Sequence, residues 1–204
     1  MANHQTKARM PQPAQAAPRT GRFTLTEALT ELRSLDKRIK AKREAIRSYL
    51  ARQAAMADPF HAEGGTSAFI TRELEGIETF EERVLALRGA IYEANAATKL
   101  EIGDETRTLA EWLTWRTEIA YPRQRFLQKL YQRIKDVRRE ALARGTTVVT
   151  ATIAAGALGA PPPAGVIVNV NERELVNELE GLDTMLSQFE GQLAVKNATT
   201  MVTV

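Results

Sequence analysis

The stretch that decides the fold is residues 24–49, TLTEALTELRSLDKRIKAKREAIRSY, in which apolar side chains return every seven residues. This spacing, kept over about four heptads, is typical of a long helix that packs against a partner helix. Thr24 and Glu27 have the spacing of a capping box, which predicts that the helix begins there. The stripe consists of Leu25, Leu32, Ile39 and Ile46.

A second heptad run follows a loop at 57–66 that contains Asp58-Pro59 and Gly64-Gly65. The surface of this second helix is acidic, whereas the opposite side of the first helix is basic. We therefore expect a long antiparallel coiled-coil hairpin with complementary charges. The second stripe consists of Ile70, Ile77, Val84 and Ile91, with Leu74 and Leu87 beside it. The basic side of the first helix carries Lys37, Arg38, Lys40, Arg43 and Arg47.

Two further helices are predicted, so that residues 23–145 form a helical bundle and 171–193 a short C-terminal helix. The third helix begins at the capping box of Thr108 and Glu111 and ends near Gly145. Pro122 lies inside it and should kink or split it, because proline removes a backbone donor. Apolar positions expected in its packed face include Trp112, Trp115, Ile119 and Phe126. The fourth helix opens with Asn171 and Glu174, a third pair with capping-box spacing.

Residues 145–171 carry no charge and contain two β-branched runs, at 146–153 and 166–170. We interpret them as a β-arm or open hairpin over about 146–170. The β-prone tail 194–204 is the nearest segment that could complete its sheet. Its prolines, Pro161 to Pro163, argue against a membrane-spanning helix. Residues expected to contact another subunit are Val148, Val149, Ile153, Val166, Ile167, Val168, Met201 and Val202.

Composition narrows the chemistry of this 204-residue chain. There is no cysteine, which excludes disulfides, thiolate metal sites and a cysteine nucleophile. His4 and His61 are the two histidines, and His61 with Asp58 and Glu63 is better explained as a polar loop than as a metal site. We predict no catalytic residue, cofactor or metal. Residues 1–22 hold three prolines and no acidic residue, which predicts a flexible basic arm.

Three segments resemble the septicolysin-like family of small bacterial and phage proteins. They are Thr24-Leu-Thr-Glu-Ala-Leu, Ile91-Tyr-Glu-Ala-Asn-Ala-Ala-Thr followed by Thr108-Leu-Ala-Glu-Trp-Leu, and Glu174-Leu-Val-Asn-Glu-Leu-Glu-Gly-Leu-Asp. The resemblance spans about residues 23–195 and implies a helical hairpin fold. Most members have no assigned function, so it implies no activity. This chain departs from the family in its basic arm and its Ala/Gly/Pro-rich β-arm.

These patterns predict a non-enzymatic structural protein of an oligomeric assembly, best matched by a bacteriophage virion component that is capsid-associated or a head–tail connector. Its partners would be copies of itself and other structural proteins. Nucleic acid is less favoured, because no aromatic side chain interleaves the basic side of the first helix. The alternatives are a soluble bacterial adaptor, in the bacterial cytoplasm rather than the virion, and a membrane-active protein that uses residues 145–171.

Overall fold

The computed structural model describes residues 21–150 and 165–204, and in this part the chain is mainly helical with short paired strands. The helices are α1 (Leu25–Ser48), α2 (Gly65–Ala97), α3 (Leu109–Thr114), α4 (Tyr121–Ala143) and α5 (Glu172–Thr199). The strands are β1 (Arg22–Thr24), β2 (Lys99–Ile102), β3 (Glu105–Thr108), β4 (Val148–Thr150), β5 (Val166–Val168) and β6 (Met201–Thr203). The predicted mainly α class is therefore confirmed.

Helices α1 and α2 pack as antiparallel neighbours. Near the start of α1, Glu31 accepts a 2.9 Å hydrogen bond from Arg83, in the second half of α2. Near the end of α1, Lys42 donates a 2.9 Å bond to Glu73, close to the start of α2. Later residues of α1 thus meet earlier residues of α2. Gly76 makes room for the second contact, because a Cβ there would lie 2.8 Å from the Lys42 ammonium.

The eight predicted seam residues all lie at least partly inside the protein. Four are buried, namely Leu25, Leu32, Ile39 and Ile77. The other four, Ile46, Ile70, Val84 and Ile91, are half-buried. Leu74, expected on the same face, is 49% exposed and lies on the outer side of α2. The ion pairs set Ile39 level with Ile77, one heptad away from Val84.

The largest core lies where the N-terminal end of α1 meets the C-terminal ends of α2 and α5 together with α3. Trp112 is fully buried there, and its indole N–H donates to the Leu100 carbonyl at 3.2 Å. The expectation that Trp112 belongs to a packed core is thus confirmed. The buried residues of this core are Phe23, Leu25, Ala28, Leu32, Leu35, Leu87, Leu100, Ile102, Leu109, Trp112, Phe189 and Val202.

Two antiparallel strand pairs close this core. Strand β2 pairs with β3 across a Gly103-Asp104 turn, where Gly103 has a left-handed φ of +59°. The sequence over 95–104 predicts a break or a short extended piece, and the structure shows this hairpin there. Strand β1 pairs with β6, so the tail pairs beside the start of α1 and not with the predicted β-arm. That expectation for the tail was wrong, because Val202 packs in the largest core.

Helix α3 runs into α4 through a π-helical segment, Trp115–Ala120, which ends just before Pro122. Pro122 has no N–H to donate to the preceding turn. The N–H of the residue before it, Tyr121, donates a hydrogen bond to the carbonyl of Arg116, five residues back. The predicted irregularity at Pro122 is therefore present as a change in helical pitch. The chain leaves α4 at Gly145, which has a φ of +66°.

Strands β4 and β5 pair in parallel, which excludes the open hairpin, since a hairpin would be antiparallel. Val168 and Val148 pack on α4 and α5 in a second cluster, so the predicted β-arm is not separate from the helices. The buried members of this cluster are Leu127, Ile134, Val168 and Leu175. Ile153 and the rest of 151–164 lie outside the described residues.

Helix α5 is longer than the predicted short helix over 171–193, because it has 28 residues and ends at Thr199. Its cap is also simpler than predicted. The Asn171 side chain accepts from the backbone of Arg173 and Glu174, and its amide donates to the Glu174 carboxylate at 2.7 Å. Of the predicted arm over 1–22, only Gly21 and Arg22 are among the described residues.

Candidate interaction surfaces

Two of the five residues on the basic side of α1 contact α2. Arg43 donates to Glu81 at 2.6 Å, and the guanidinium of Arg38 lies 4.3 Å from the ring centroid of Phe80. Lys37 and Lys40 are exposed and have no ion-pair partner within the described ranges. This side of α1 therefore faces α2 only at Arg38 and Arg43 and is otherwise exposed.

The far end of the α1–α2 pair is ordered around Asp58. Its carboxylate accepts bonds from the Thr66 backbone, the Thr66 hydroxyl and the Phe60 backbone at 2.7–2.9 Å. These bonds to the charged form lower the pKa of Asp58 from 3.8 to about 2, with help from Arg52. Because Thr66 lies in the first turn of α2, Asp58 acts as a remote cap of that helix.

Three aromatic rings pack beside this cap. Phe60 stacks on Phe69 with centroids 4.0 Å apart, and Tyr49 meets both rings edge-on. His61 is exposed in the short helical turn that follows Phe60. Within 21–150 and 165–204, no three His, Asp or Glu side chains cluster closely enough to hold a metal ion.

The second carboxyl group with a lowered pKa is also a helix cap. The backbone N–H and hydroxyl of Thr108 donate to Glu111 at 2.7 and 2.8 Å, and these bonds lower its pKa.

A wide, open depression lies between α4 and the start of α5, where Arg138 forms an ion pair with Glu172.

The outer side of α2 presents an apolar stripe flanked by negative charge. Leu85 is 74% exposed and Tyr92, seven residues later, is 71% exposed. Glu78 and Glu82 are exposed on the same side and form no ion pair with any described residue. Gly89 lies between the two apolar side chains, and a Cβ placed there would meet no atom within 4 Å. We call this surface, formed by Glu78, Glu82, Leu85, Gly89 and Tyr92, the acidic face.

One side of α4 and the preceding π-helical segment presents the opposite charge. Ile119 is 50% exposed and Phe126, seven residues later, is 58% exposed. Pro122 lies between them and is exposed. Lys129 has no partner among the described side chains, and Arg133 makes one exposed contact, with Glu140 at 3.2 Å. We call this surface, formed by Ile119, Pro122, Phe126, Lys129 and Arg133, the basic face.

The predicted subunit-contact residues divide between the interior and the surface. Val168 and Val202 are buried, so they stabilise the protein's own core. Ile167 and Met201 are 40% and 43% exposed and remain available for contacts. Val148, Val149 and Val166 are half-buried.

The acidic and basic faces were missed by the sequence analysis, which placed Ile119 and Phe126 in the packed side of the third helix. The signal was a second apolar spacing of seven on each helix, out of phase with the residues that pack inward: Leu85 with Tyr92, and Ile119 with Phe126. The π-helical segment also rotates Ile119 relative to a regular helix, which spacing alone does not reveal.

Comparison with known proteins gave no relative, because no family model, no curated protein and no solved structure matches the chain. The resemblance to the septicolysin-like family stays a prediction. Among the described helices, none combines the length and apolarity that crossing a membrane requires.

Proposed function

We propose that this chain is a non-enzymatic structural protein that assembles with copies of itself. The observation that carries the proposal is the presence of the acidic face and the basic face on one chain. Each combines large exposed apolar side chains with charges that the described residues neutralise only in part. Large apolar side chains in such a setting mark surfaces that are covered in an assembly.

The use of charge elsewhere supports a structural role. Lys42 and Arg43 are paired with Glu73 and Glu81 across α1 and α2. Asp58 and Glu111, the carboxyl groups with lowered pKa values, cap helices and do not converge on a cleft. The charged groups with unusual surroundings therefore stabilise the fold.

The setting that we favour is a bacteriophage particle, in which the chain is a capsid-associated or head–tail connector protein. A mainly helical chain of this size, with a basic N-terminal segment, suits repeated packing in a shell or ring. The genes that flank the coding sequence test this setting, as does mass spectrometry of purified particles. Flanking genes without any head or tail function, and absence from particles, would contradict it.

The assembly itself is tested by the native mass of the purified full-length chain. We expect a mass that is a multiple of 22.6 kDa and that rises with protein concentration. A chain that stays at one copy at every concentration would overturn the proposal.

A second candidate function is an adaptor that binds a partner with the far end of the α1–α2 pair. The observation behind it is that Leu50 is 72% exposed and Met56 is 60% exposed there. A monomeric chain whose gene lies among bacterial, non-phage genes would favour this candidate.

A further inference from the structure

We propose that the acidic face of one copy binds the basic face of the next copy, in an antiparallel register that sets Leu85 against Phe126. This inference rests on the proposed function, whose self-assembly it explains at the level of residues. The partner is a second copy of this chain, chosen because the two faces are complementary in charge and in apolar spacing.

The apolar spacing matches between the faces. Leu85 and Tyr92 are seven residues apart, as are Ile119 and Phe126. Seven residues of an α-helix span about two turns and about 10 Å, so Leu85 and Tyr92 lie on one side of α2. Ile119, at the end of the π-helical segment, and Phe126, in α4, are both exposed. When Phe126 meets Leu85 in an antiparallel arrangement, Ile119 meets Tyr92.

The same register pairs opposite charges without further adjustment. Three residues before Leu85 is Glu82, and three residues after Phe126 is Lys129. Four residues further along each helix are Glu78 and Arg133. The register therefore sets Glu82 against Lys129 and Glu78 against Arg133, whereas a parallel arrangement of the same apolar residues gives neither pair.

The centre of the contact suits a close approach of two helices. The register sets Gly89 against Pro122. The proline ring of the basic face thus meets the residue of the acidic face that has no side chain. Glycine inside an exposed helix is unfavourable compared with alanine. A neighbouring helix that needs the space gives Gly89 a role that the isolated chain does not, since its surroundings are empty.

The register also brings three pairs of like charges near each other, one of which, Glu93 with Glu118, has no ion-pair partner among the described residues. The register sets Arg88 near Arg123, and Arg123 donates to Glu178 at 2.6 Å. It also sets Glu75 near Asp136, which is bound by Gln132 and Arg139. These like-charge contacts weaken the proposed binding, and the charge-exchange variants below test whether the two opposite-charge pairs outweigh them.

The proposed contact joins two different surfaces, so it is heterologous and leaves a free face at each end. Such contacts build a ring when the rotation closes and a filament when it does not. Because one helix-to-helix contact is small, we expect weak binding at each contact and stability through repetition.

The decisive experiment uses two full-length variants, Leu85→Asp and Phe126→Asp, each of which blocks one face. Alone, each variant should remain at one copy by sedimentation equilibrium at protein concentrations at which the wild type assembles. Mixed in equal amounts, they should form a dimer and nothing larger, because the intact basic face of the first meets the intact acidic face of the second. An isologous contact between two acidic faces cannot give this result.

The control is Leu142→Asp, since Leu142 is 81% exposed and lies about 160° around α4 from Phe126. It should assemble like the wild type. All three variants should keep the wild-type thermal midpoint, because each replaced side chain lies at the surface.

A charge exchange tests the register. The double variant Glu78→Lys with Glu82→Lys reverses the charge of the acidic face and should raise the dissociation constant by about 10- to 100-fold. The double variant Lys129→Glu with Arg133→Glu reverses the charge of the basic face and should have the same effect. The variant with all four changes should assemble again. A fourfold variant that stays as weak as the twofold variants would overturn the register.

The other outcomes separate the inference from the proposed function. A wild-type chain that never assembles overturns both. A wild-type chain that assembles while Leu85→Asp and Phe126→Asp also assemble overturns the inference alone.

The basic arm could instead occupy the acidic face, and the variant with Lys7, Arg9 and Arg19 changed to Glu tests this. Loss of assembly in that variant, with Phe126→Asp unaffected, would name the arm as the occupant and overturn the proposal.

Discussion

The α1–α2 pair and the α4–α5 pair are built from similar residues but are held together differently. Two ion pairs between α1 and α2 lie close to the interior, since Lys42 and Glu73 are 12% and 20% exposed and Arg83 and Glu31 are 9% and 23% exposed, whereas a third, Arg43 with Glu81, lies at the surface. Those between α4 and α5 lie at the surface, since Arg123 and Glu178 are 58% and 40% exposed. Surface pairs contribute about 0–1 kcal/mol, whereas breaking a more buried pair leaves a charge without its partner.

The apolar contacts within the two helix pairs also differ, and those of the α1–α2 pair are again the more extensive. The α1–α2 pair shares the largest core of the molecule at one end, whereas the far half of α4 and α5 is held by a smaller cluster around Ile134 and Val168. The α1–α2 pair, whose charges include the less exposed ones, is thus fixed in register by polar contacts. The other pair depends on a few apolar side chains and on the parallel strands β4 and β5.

The largest expected effect is that of Ile39→Asp, in the middle of the α1–α2 pair. Ile39 is 7% exposed, so the change puts an unpaired charge among apolar side chains and should cost about 3–5 kcal/mol of unfolding free energy. Urea unfolding measures it. Ile39→Val is the matched control and should cost only about 0.5–1.5 kcal/mol. An unchanged thermal midpoint for Ile39→Asp would contradict both the packing and the predicted coiled-coil hairpin.

The next effect should be local to the α4–α5 pair. Val168→Asp places a charge in the second cluster, where Val168 is 9% exposed, and should cost about 2–3 kcal/mol. Hydrogen exchange should speed up around Leu127 and Leu175 and stay slow in α1. Ile167→Asp is the control, because its side chain is 40% exposed on the neighbouring strand position. Faster exchange throughout α1 and α2 would show that the two pairs open together.

The heptad pattern was sufficient for α1 and α2 because these helices bury one continuous side, and a sequence repeat reports that directly. It was not sufficient for β1 and β6, because these two paired strands lie near opposite ends of the sequence. Three-residue strands carry no periodic signal, and Phe23 and Val202 are buried only because β1 and β6 meet. The parallel pairing of β4 and β5 likewise depends on where α4 and α5 place these strands.

The candidate surfaces were less predictable than the fold for a related reason. Ile119 and Phe126 have the spacing of core residues, and only the packing of α4 on α5 decides which apolar residues stay outside. The capping boxes at Thr24 and Thr108 were predictable because all their atoms lie within four consecutive residues. The cap by Asp58 was not, since it reaches eight residues ahead to Thr66.

A smaller effect compares the two kinds of ion pair directly. Glu73→Gln removes the charge that faces Lys42 near the interior and should cost about 1–2 kcal/mol. Glu178→Gln removes the surface partner of Arg123 and should cost at most about 0.5 kcal/mol. Urea unfolding at low and moderate salt measures both changes. Equal costs for the two variants would show that the depth of the Lys42–Glu73 pair does not affect stability.

The smallest effect concerns the far end of the α1–α2 pair and appears as a pH dependence. Folding lowers the pKa of Asp58 from 3.8 to about 2, because the Thr66 and Phe60 groups donate to its charged form. A lowered pKa stabilises the folded state above about pH 4, and this stabilisation disappears as the pH falls through about 2. Asp58→Asn cannot ionise, so the difference in unfolding free energy between wild type and variant should narrow as the pH falls from 4 to 2. Urea unfolding at several pH values measures this difference. A difference that stays constant over this range would mean that Asp58 does not act as a charged cap of α2, and the order of the far end would then depend on the aromatic rings of Tyr49, Phe60 and Phe69.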